Sequence, residues 1–467
     1  MDILATVRKT IADHSLLSVG DSVLIALSGG PDSVALLHVL TRLRRAMKLS
    51  LTAVYVNHQI RKRAALAEEK FCQKLCDKFD IDLDIVGEDI PALAKRRKVG
   101  IEEAARDFRY ELFDLLALED GHNRIALGHH ADDRAETVLF RVLRGTGISG
   151  LGGIPARRGK IVRPLYDLTK AQILSHLKSK RLSYCTDQSN ESTDYRRNYL
   201  RNRLLPEIRK EFNPQVDKAL LNLAEISTVD DRYLDRLTTL AFRKCVAVSA
   251  GGKFELDLII VDRYDTAILR RLLRKCYQGL VPSQVTPDKE VIDRLADLVS
   301  GRGKSVSLPN RIQAVRIDNG LVLYRRERHS YAVPLQPDGK SRIEFPAIDF
   351  TCRLKENWRG RPIKKRGSGK VILDWEKIRP PILVRHIKPG DRFRPLGLGG
   401  TKKVGDFLTD RKVPPVYRDE IPVVCDTEGI IWVVGYEIDN RVKIDEDTKK
   451  VITIGFTVRK SGAAGAV

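Results

Sequence analysis

The chain has 467 residues, 42% of them apolar and 31% charged, with a net charge of +22 and a pI near 9.7. That balance excludes a disulfide-stapled miniprotein and a disordered chain, and no apolar run is long enough to cross a bilayer. With no signal-peptide block at the start, the expectation is a cytoplasmic protein of about three domains whose positive field draws polyanions, nucleic acid above all. Seven cysteines are scattered without a Cys-x-x-Cys pair, so buried reduced thiols are expected.

Residues 1–17 mix charged and apolar positions as an amphipathic helix does. Residues 23–27 form an apolar run that reads as a strand. Ser28, Gly29, Gly30, Pro31, Asp32 and Ser33 follow as a turn, and residues 34–40 continue as a helix. Paired glycines let the main chain approach an anion, and the free N–H groups of the first helical turn favour negative charge. Ser28 and Ser33 add hydroxyl donors, and Pro31 suits the first helical position. A carboxylate at Asp32 would repel phosphate, so a bridging divalent cation, Mg²⁺, is expected there. No Gly-Lys-Ser/Thr ending is present, so this is not a Walker A loop. The pattern resembles the pyrophosphate loop of N-type ATP pyrophosphatases, which cleave ATP between its α and β phosphates.

Further strands are expected at residues 51–56, ending in Asn57 and His58, at 83–86, and at 124–128, ending in histidines. Helical patterns at 64–79 and 101–118 separate them. Strands alternating with helices imply a parallel sheet whose ligands bind beyond the carboxyl ends of the strands. Arg106 and Arg109 share a helix face; they suit either a phosphate clamp or a salt-bridge face with Glu102 and Glu103. Gly128, His129, His130, Ala131, Asp132, Asp133, Arg134, Ala135, Glu136 and Thr137 form a second polar cluster at a strand end. Asp132 or Asp133 can cap the next helix, and Asp133 and Glu136 project from neighbouring turns of one face. Two carboxylates and two imidazoles can bind an ammonium group, hold Mg²⁺ or move a proton; zinc on His129, His130 and Asp133 is the less favoured alternative.

The domain expectation is α/β. A parallel-sheet ATP pyrophosphatase domain spans residues 1–214, a mainly helical RNA-binding or substrate domain 215–328, and a small α+β or β RNA-binding domain 329–460. A disordered tail covers 461–467. In the second domain, Asp318, Asn319 and Gly320 mark a hairpin turn.

These motifs occur together with Val56, Asn57, His58, Gln59, Ile60 and Arg61, then Asp187, Gln188, Ser189 and Asn190, then Tyr195, Arg196, Arg197 and Asn198. A late block holds Gly390, Asp391, Arg392, Lys402, Lys403, Asp406, Phe407, Leu408, Asp410, Lys412, Val413 and Pro414. In this order they resemble bacterial tRNA(Ile)-lysidine synthetases over nearly the whole chain. The resemblance implies a ligase that adenylates C2 of the wobble cytidine in a CAU-anticodon isoleucine tRNA, releasing pyrophosphate. Free L-lysine then attacks C2 and expels AMP. It further implies that Asp32 holds Mg²⁺, that Arg109 contacts the ATP phosphates, and that Asn57 and His58 border the adenine. His129, Asp133 and Glu136 would hold lysine, with Asp133 or His129 as its base. No membrane partner is implied, a homodimer is allowed, and the oligomeric state stays open.

Leu127, Arg134, Val404 and Gly405 depart from the family pattern, and Arg134 places a cation beside the expected lysine site. Three rivals share parts of this signature. A tRNA thiolation enzyme wants reactive cysteine pairs, a small-molecule amide ligase leaves the surplus positive charge unused, and a non-catalytic RNA-binding relic has no need of Asp32, Asp133 and Glu136.

Overall fold

The computed structural model describes residues 3–60, 62–185, 196–249, 252–282, 285–326, 330–344, 347–358 and 369–459. Arg61, the segment from Asp187 to Tyr195 and the tail at 461–467 lie outside them. The chain divides into two compact units, residues 1–233 and 234–467.

The first unit starts with α1 (Ile3–Asp13), which buries Ile3, Val7, Thr10 and Ile11 at helical spacing. Strands and helices then alternate: β1 (Ser22–Ala26), α2 (Pro31–Met47), β2 (Ser50–Asn57), α3 (Lys62–Phe79), β3 (Asp82–Gly87), α4 (Ile90–Arg97), α5 (Ile101–Glu119), β4 (Arg124–Ala126) and α6 (Ala131–Leu143). After α7 (Ile148–Leu151) come β5 (Arg157–Arg158), β6 (Ile161–Val162) and α8 (Lys170–Ser179). The sheet order is β3-β2-β1-β4-β6-β5. All pairings are parallel except β5 with β6.

The chain winds outward from β1 through β2 to β3, then returns to place β4 on the other side of β1. In open sheets of this kind the ligand crevice lies at that reversal, beyond the carboxyl ends of β1 and β4. Leu24, Ile25, Ala53, Val54, Ile125 and Ala126 are fully or almost fully buried, as strands covered on both faces require.

Three short helical pieces follow: α9 (Arg196–Tyr199), a wider turn at Leu200–Leu204 and α10 (Leu205–Glu211). In the wider turn Leu205 N–H bonds to Leu200 O, five residues back. The unit boundary falls within the 30-residue α11 (Val216–Cys245).

In the second unit, helices Thr266–Gln278 and Lys289–Val299 bury apolar stripes against a five-stranded sheet. Its hairpin pairs Ile317 with Gly320, leaving Asp318 and Asn319 as a two-residue turn, and Asp318 takes a positive φ of 47°. The hairpin is thus one part of a sheet that also includes Val246–Val248, Phe254–Asp257 and Ser305–Leu308. Two further antiparallel sheets, of five and four strands, pack around Phe350, Trp432 and Ile452. Lys253 is buried and pairs with Glu420 at 2.7 Å, beside Tyr324 and Tyr417. No helix among the described residues is long and apolar enough to cross a membrane.

Candidate functional site

The loop after β1 is held open by its own backbone. Gly29 has a φ of 79°, which L side chains rarely adopt, and its carbonyl accepts from Cys185 N at 2.9 Å. Gly30 is the residue before α2, and Pro31 opens the helix. Ser28 is exposed on the rim. Ser33 is buried and turned inward: its Oγ donates to Gly30 O at 2.9 Å and accepts from Ser28 N at 3.2 Å. Ser33 therefore braces the loop, and Ser28, whose Oγ donates to Ser33 Oγ at 3.3 Å, stays exposed beside it.

The loop after β4 comes against it. Gly128 lies so close that a Cβ there would stand 3.2 Å from Asp32 C and 3.3 Å from Ser33 N. The next two residues point apart. His129 Nδ1 accepts from Arg163 Nε at 3.2 Å. Buried His130 lies among three carboxylates, with Nδ1 3.4 Å from Asp132 and Nε2 3.4 Å from Asp133 and 3.6 Å from Asp32. Burial opposes a charge on His130, but those carboxylates outweigh it and raise its pKa. Asp133 caps its own helix α6, accepting from His130 N at 3.1 Å, whereas Asp132 caps α8, accepting from Lys170 N at 2.9 Å.

Asp32 does not stand alone. Lys170, the first residue of α8, places Nζ 2.6 and 2.8 Å from its two carboxylate oxygens. The position thus already selects a cation, and it fits the magnesium mode of one carboxylate plus substrate phosphate oxygens. It does not fit an all-protein cage: no group of three His, Cys, Asp or Glu side chains suited to a metal exists among the described residues.

Asp133 and Glu136 do share a face, and arginine fills it. Arg201, in the wide turn before α10, donates from Nη2 to Asp133 at 2.9 Å and to Glu136 at 2.7 Å, and from Nε to Glu136. Arg197, one turn earlier, lies 3.6 Å from Glu136. Burial opposes ionisation of Asp133, but His130, His129 and Arg201 prevail and hold its carboxyl below the usual range. Arg134 turns away from these carboxylates. It is buried, stacks 3.6 Å from the centre of the Tyr166 ring and pairs with Asp167 at 3.3 Å. The cation expected beside the lysine site is therefore part of the core.

Asn57 closes β2, and its Oδ1 accepts from Gln59 N at 3.0 Å. Burial and then the charge of Arg109 push His58 down to about 4. Arg109 is exposed on α5 and acts electrostatically on both His58 and His129. Arg106 lies over the Tyr110 ring, 5.8 Å from its centre. Burial pushes the Cys72 and Cys76 thiols up to about 12, which leaves them inert as nucleophiles. Lys170, Arg163 and Arg201 are not singled out by the sequence. Each comes from an element remote in sequence and carries no local motif, although Arg201 lies just beyond the motif that ends at Asn198.

A family described as a PP-loop domain matches residues 4–208, and one described as the TilS substrate C-terminal domain matches residues 382–454. The tRNA(Ile)-lysidine synthase of Caldanaerobacter subterraneus subsp. tengcongensis is 34% identical over 97% of this chain and 98% of its own length. That of Clostridium acetobutylicum is 33% identical over 96% and 98%. A crystal structure of a TilS C-terminal domain is 25% identical, covered in full by 28% of this chain, at a TM-score of 0.25. With a pyrophosphate-type loop and an acidic cluster meeting at one crevice, and with this similarity running nearly end to end, the chain belongs to the tRNA(Ile)-lysidine synthase family.

Proposed function

We propose that the enzyme makes lysidine in two half-reactions in this one crevice. ATP first adenylates the C2 oxygen of the wobble cytidine of a CAU-anticodon tRNA, and pyrophosphate leaves. The ε-amine of lysine then forms the C–N bond at C2, loses a proton, and AMP leaves with the oxygen. The observation that supports this most is the contact of Gly128 with the Asp32–Ser33 backbone, which brings an anion-binding loop and a carboxylate cluster within one substrate's reach.

In this reading Ser28, Gly29, Gly30, Pro31 and Ser33 cradle the phosphates, with Ser33 acting through the loop's shape. Asn57 and His58 border the adenine, and Arg109 contacts phosphate oxygens. Asp32 is the residue that would hold Mg²⁺, which when bound neutralises charge on the departing pyrophosphate. Lys170 then supplies the cation that a Walker lysine provides elsewhere, but from α8. Asp133 and Glu136 receive the lysine ammonium. Arg201 helps to keep Asp133 ionised and holds both carboxylates aligned until that ammonium takes its place.

The test is incorporation of labelled lysine into tRNA transcripts that differ only at the wobble base, with AMP and pyrophosphate followed together. Label in the CAU transcript alone, with one AMP and one pyrophosphate per lysine, is expected. Release of orthophosphate, or label independent of the wobble base, refutes the proposal.

A further inference from the structure

We propose that His129 works as a neutral hydrogen-bond donor through Nε2, set in that tautomer by Arg163, and not as the base that deprotonates lysine. The inference rests on the lysidine reaction proposed above and assigns one of its residues a different task.

Arg163 follows β6 and is only 3% exposed. Three contacts fix it. Its backbone N–H donates to Ala156 O at 3.0 Å, Nη1 donates to Pro155 O at 2.8 Å, and Nε donates to His129 Nδ1 at 3.2 Å. A guanidinium has five N–H donors and no acceptor, and it does not give up its proton. The lone pair at the contact therefore belongs to Nδ1. A neutral imidazole has a single N–H, so His129 carries it on Nε2.

The charges around the ring agree. Burial presses His129 toward neutrality, Asp133 opposes it, and Arg163, Arg197 and Arg109 reinforce it, leaving the ring at about 4. Nε2 has no protein partner among the described residues, and the ring is half-buried at the crevice.

An N–H cannot bind an ammonium, which has no lone pair to offer. The partner of Nε2–H is an oxygen acceptor, either a phosphoryl oxygen of the nucleotide or the carbonyl oxygen of the base. The phosphoryl oxygens gain negative charge as adenylation proceeds, and the C2 oxygen gains it as AMP departs; a fixed donor is most effective where that charge develops. The proton lost by lysine goes to Asp133, the other candidate base, and not to His129. Arg163 is thus a positioning residue, and His129 a catalytic one.

Three measurements on the full-length protein test this. Long-range proton–nitrogen NMR on ¹⁵N-histidine protein, assigned with His129→Gln, should find His129 as the Nε2–H tautomer from pH 5 to pH 9. Arg163→Met should mix the tautomers and raise the ring's pKa, and Arg163→Lys should restore the single form. An Nδ1–H or doubly protonated ring in the wild type overturns the inference even if lysidine forms. In the activity arm, His129→Gln keeps a donor near the Nε2 position but cannot act as a base. It should stay within about 10-fold of wild type, while His129→Ala falls by roughly 10²–10³, as for loss of one oxyanion donor. Equal loss in both variants overturns the donor role. In the ligand arm, the Nε2–H signal should move on adding ATP if the acceptor is phosphoryl, or on adding tRNA if it is the base; movement with free lysine alone refutes both. A wild-type protein that makes no lysidine defeats the reaction, and the NMR still reads the tautomer independently.

Discussion

Gly128 is the tightest point of the crevice. A methyl group there meets main-chain atoms of Asp32 and Ser33, and main chain at a helix start cannot yield as a flexible side chain can. Gly128→Ala is predicted to push the start of α2 away, raising the KM for ATP at least tenfold and costing about 1–3 kcal/mol of stability, as overpacking does. ATP kinetics together with a thermal unfolding curve check this; an unchanged KM means the two loops do not need to touch there. Gly128 stood in the sequence cluster, yet its role was not legible there, because the group that forbids a side chain lies on another strand's loop. The same holds for Asp32. Its place at a helix start could be read from the surrounding glycines and proline, whereas its ion pair with Lys170 could not, since that lysine lies 138 residues further on. Arg134 failed in the opposite sense: its neighbours in sequence suggested the site, but its side chain found the Tyr166 ring.

Helices α2 and α8 meet twice. At their starts Asp32 and Lys170 pair. Further along, His38 Nδ1 and His176 Nε2 lie 3.0 Å apart, both buried. One ring must donate and the other accept, so at least one of the two must be neutral. Burial chiefly, then His176, Arg42, Lys180 and Lys78, lower the His38 pKa from 6.5 to about 4. Since the folded value lies below the unfolded one, the unfolded chain binds more protons between those pH values. The stabilisation is complete above pH 6.5 and is lost as the pH falls toward 4, by about 3 kcal/mol for His38. The double variant His38→Leu, His176→Leu is predicted to lose part of the acid-induced fall in thermal midpoint between pH 6.5 and 4. An identical fall in wild type and variant would show that the pair does not titrate with unfolding. Helix α2 and the strand before it were legible from apolar period and turn residues; α8 carried no such signal. The convergence of the two helices depends on the strand order β3-β2-β1-β4-β6-β5, which follows from crossovers and sheet closure and leaves no trace in any short window.

Across the whole molecule, the surplus of +22 is the feature that couples a nucleotide-activating fold to a large polyanion. The C-terminal family match carries exposed Lys388, Arg392, Lys403 and Lys412 on loops and short elements around a well-packed core of Phe393, Val404, Phe407 and Leu408. Loops that are basic and rest on a rigid base suit phosphate contacts, which position an RNA without reading its bases. Aromatic content of only 6% argues against base stacking as the main source of affinity. Binding should therefore be governed by counterion release, with log affinity falling linearly as log salt rises. Replacing these four residues by serine is predicted to weaken tRNA binding at low salt and to flatten that line by roughly 0.7–0.9 for each phosphate no longer neutralised. The thermal midpoint should hardly move, because exposed side chains away from buried partners contribute little to stability. Tight binding with an unaltered salt slope would place the tRNA backbone elsewhere on the protein. A weakened affinity with an unaltered slope would point to contacts that are not ionic, and with them to a surface chosen by shape instead of charge.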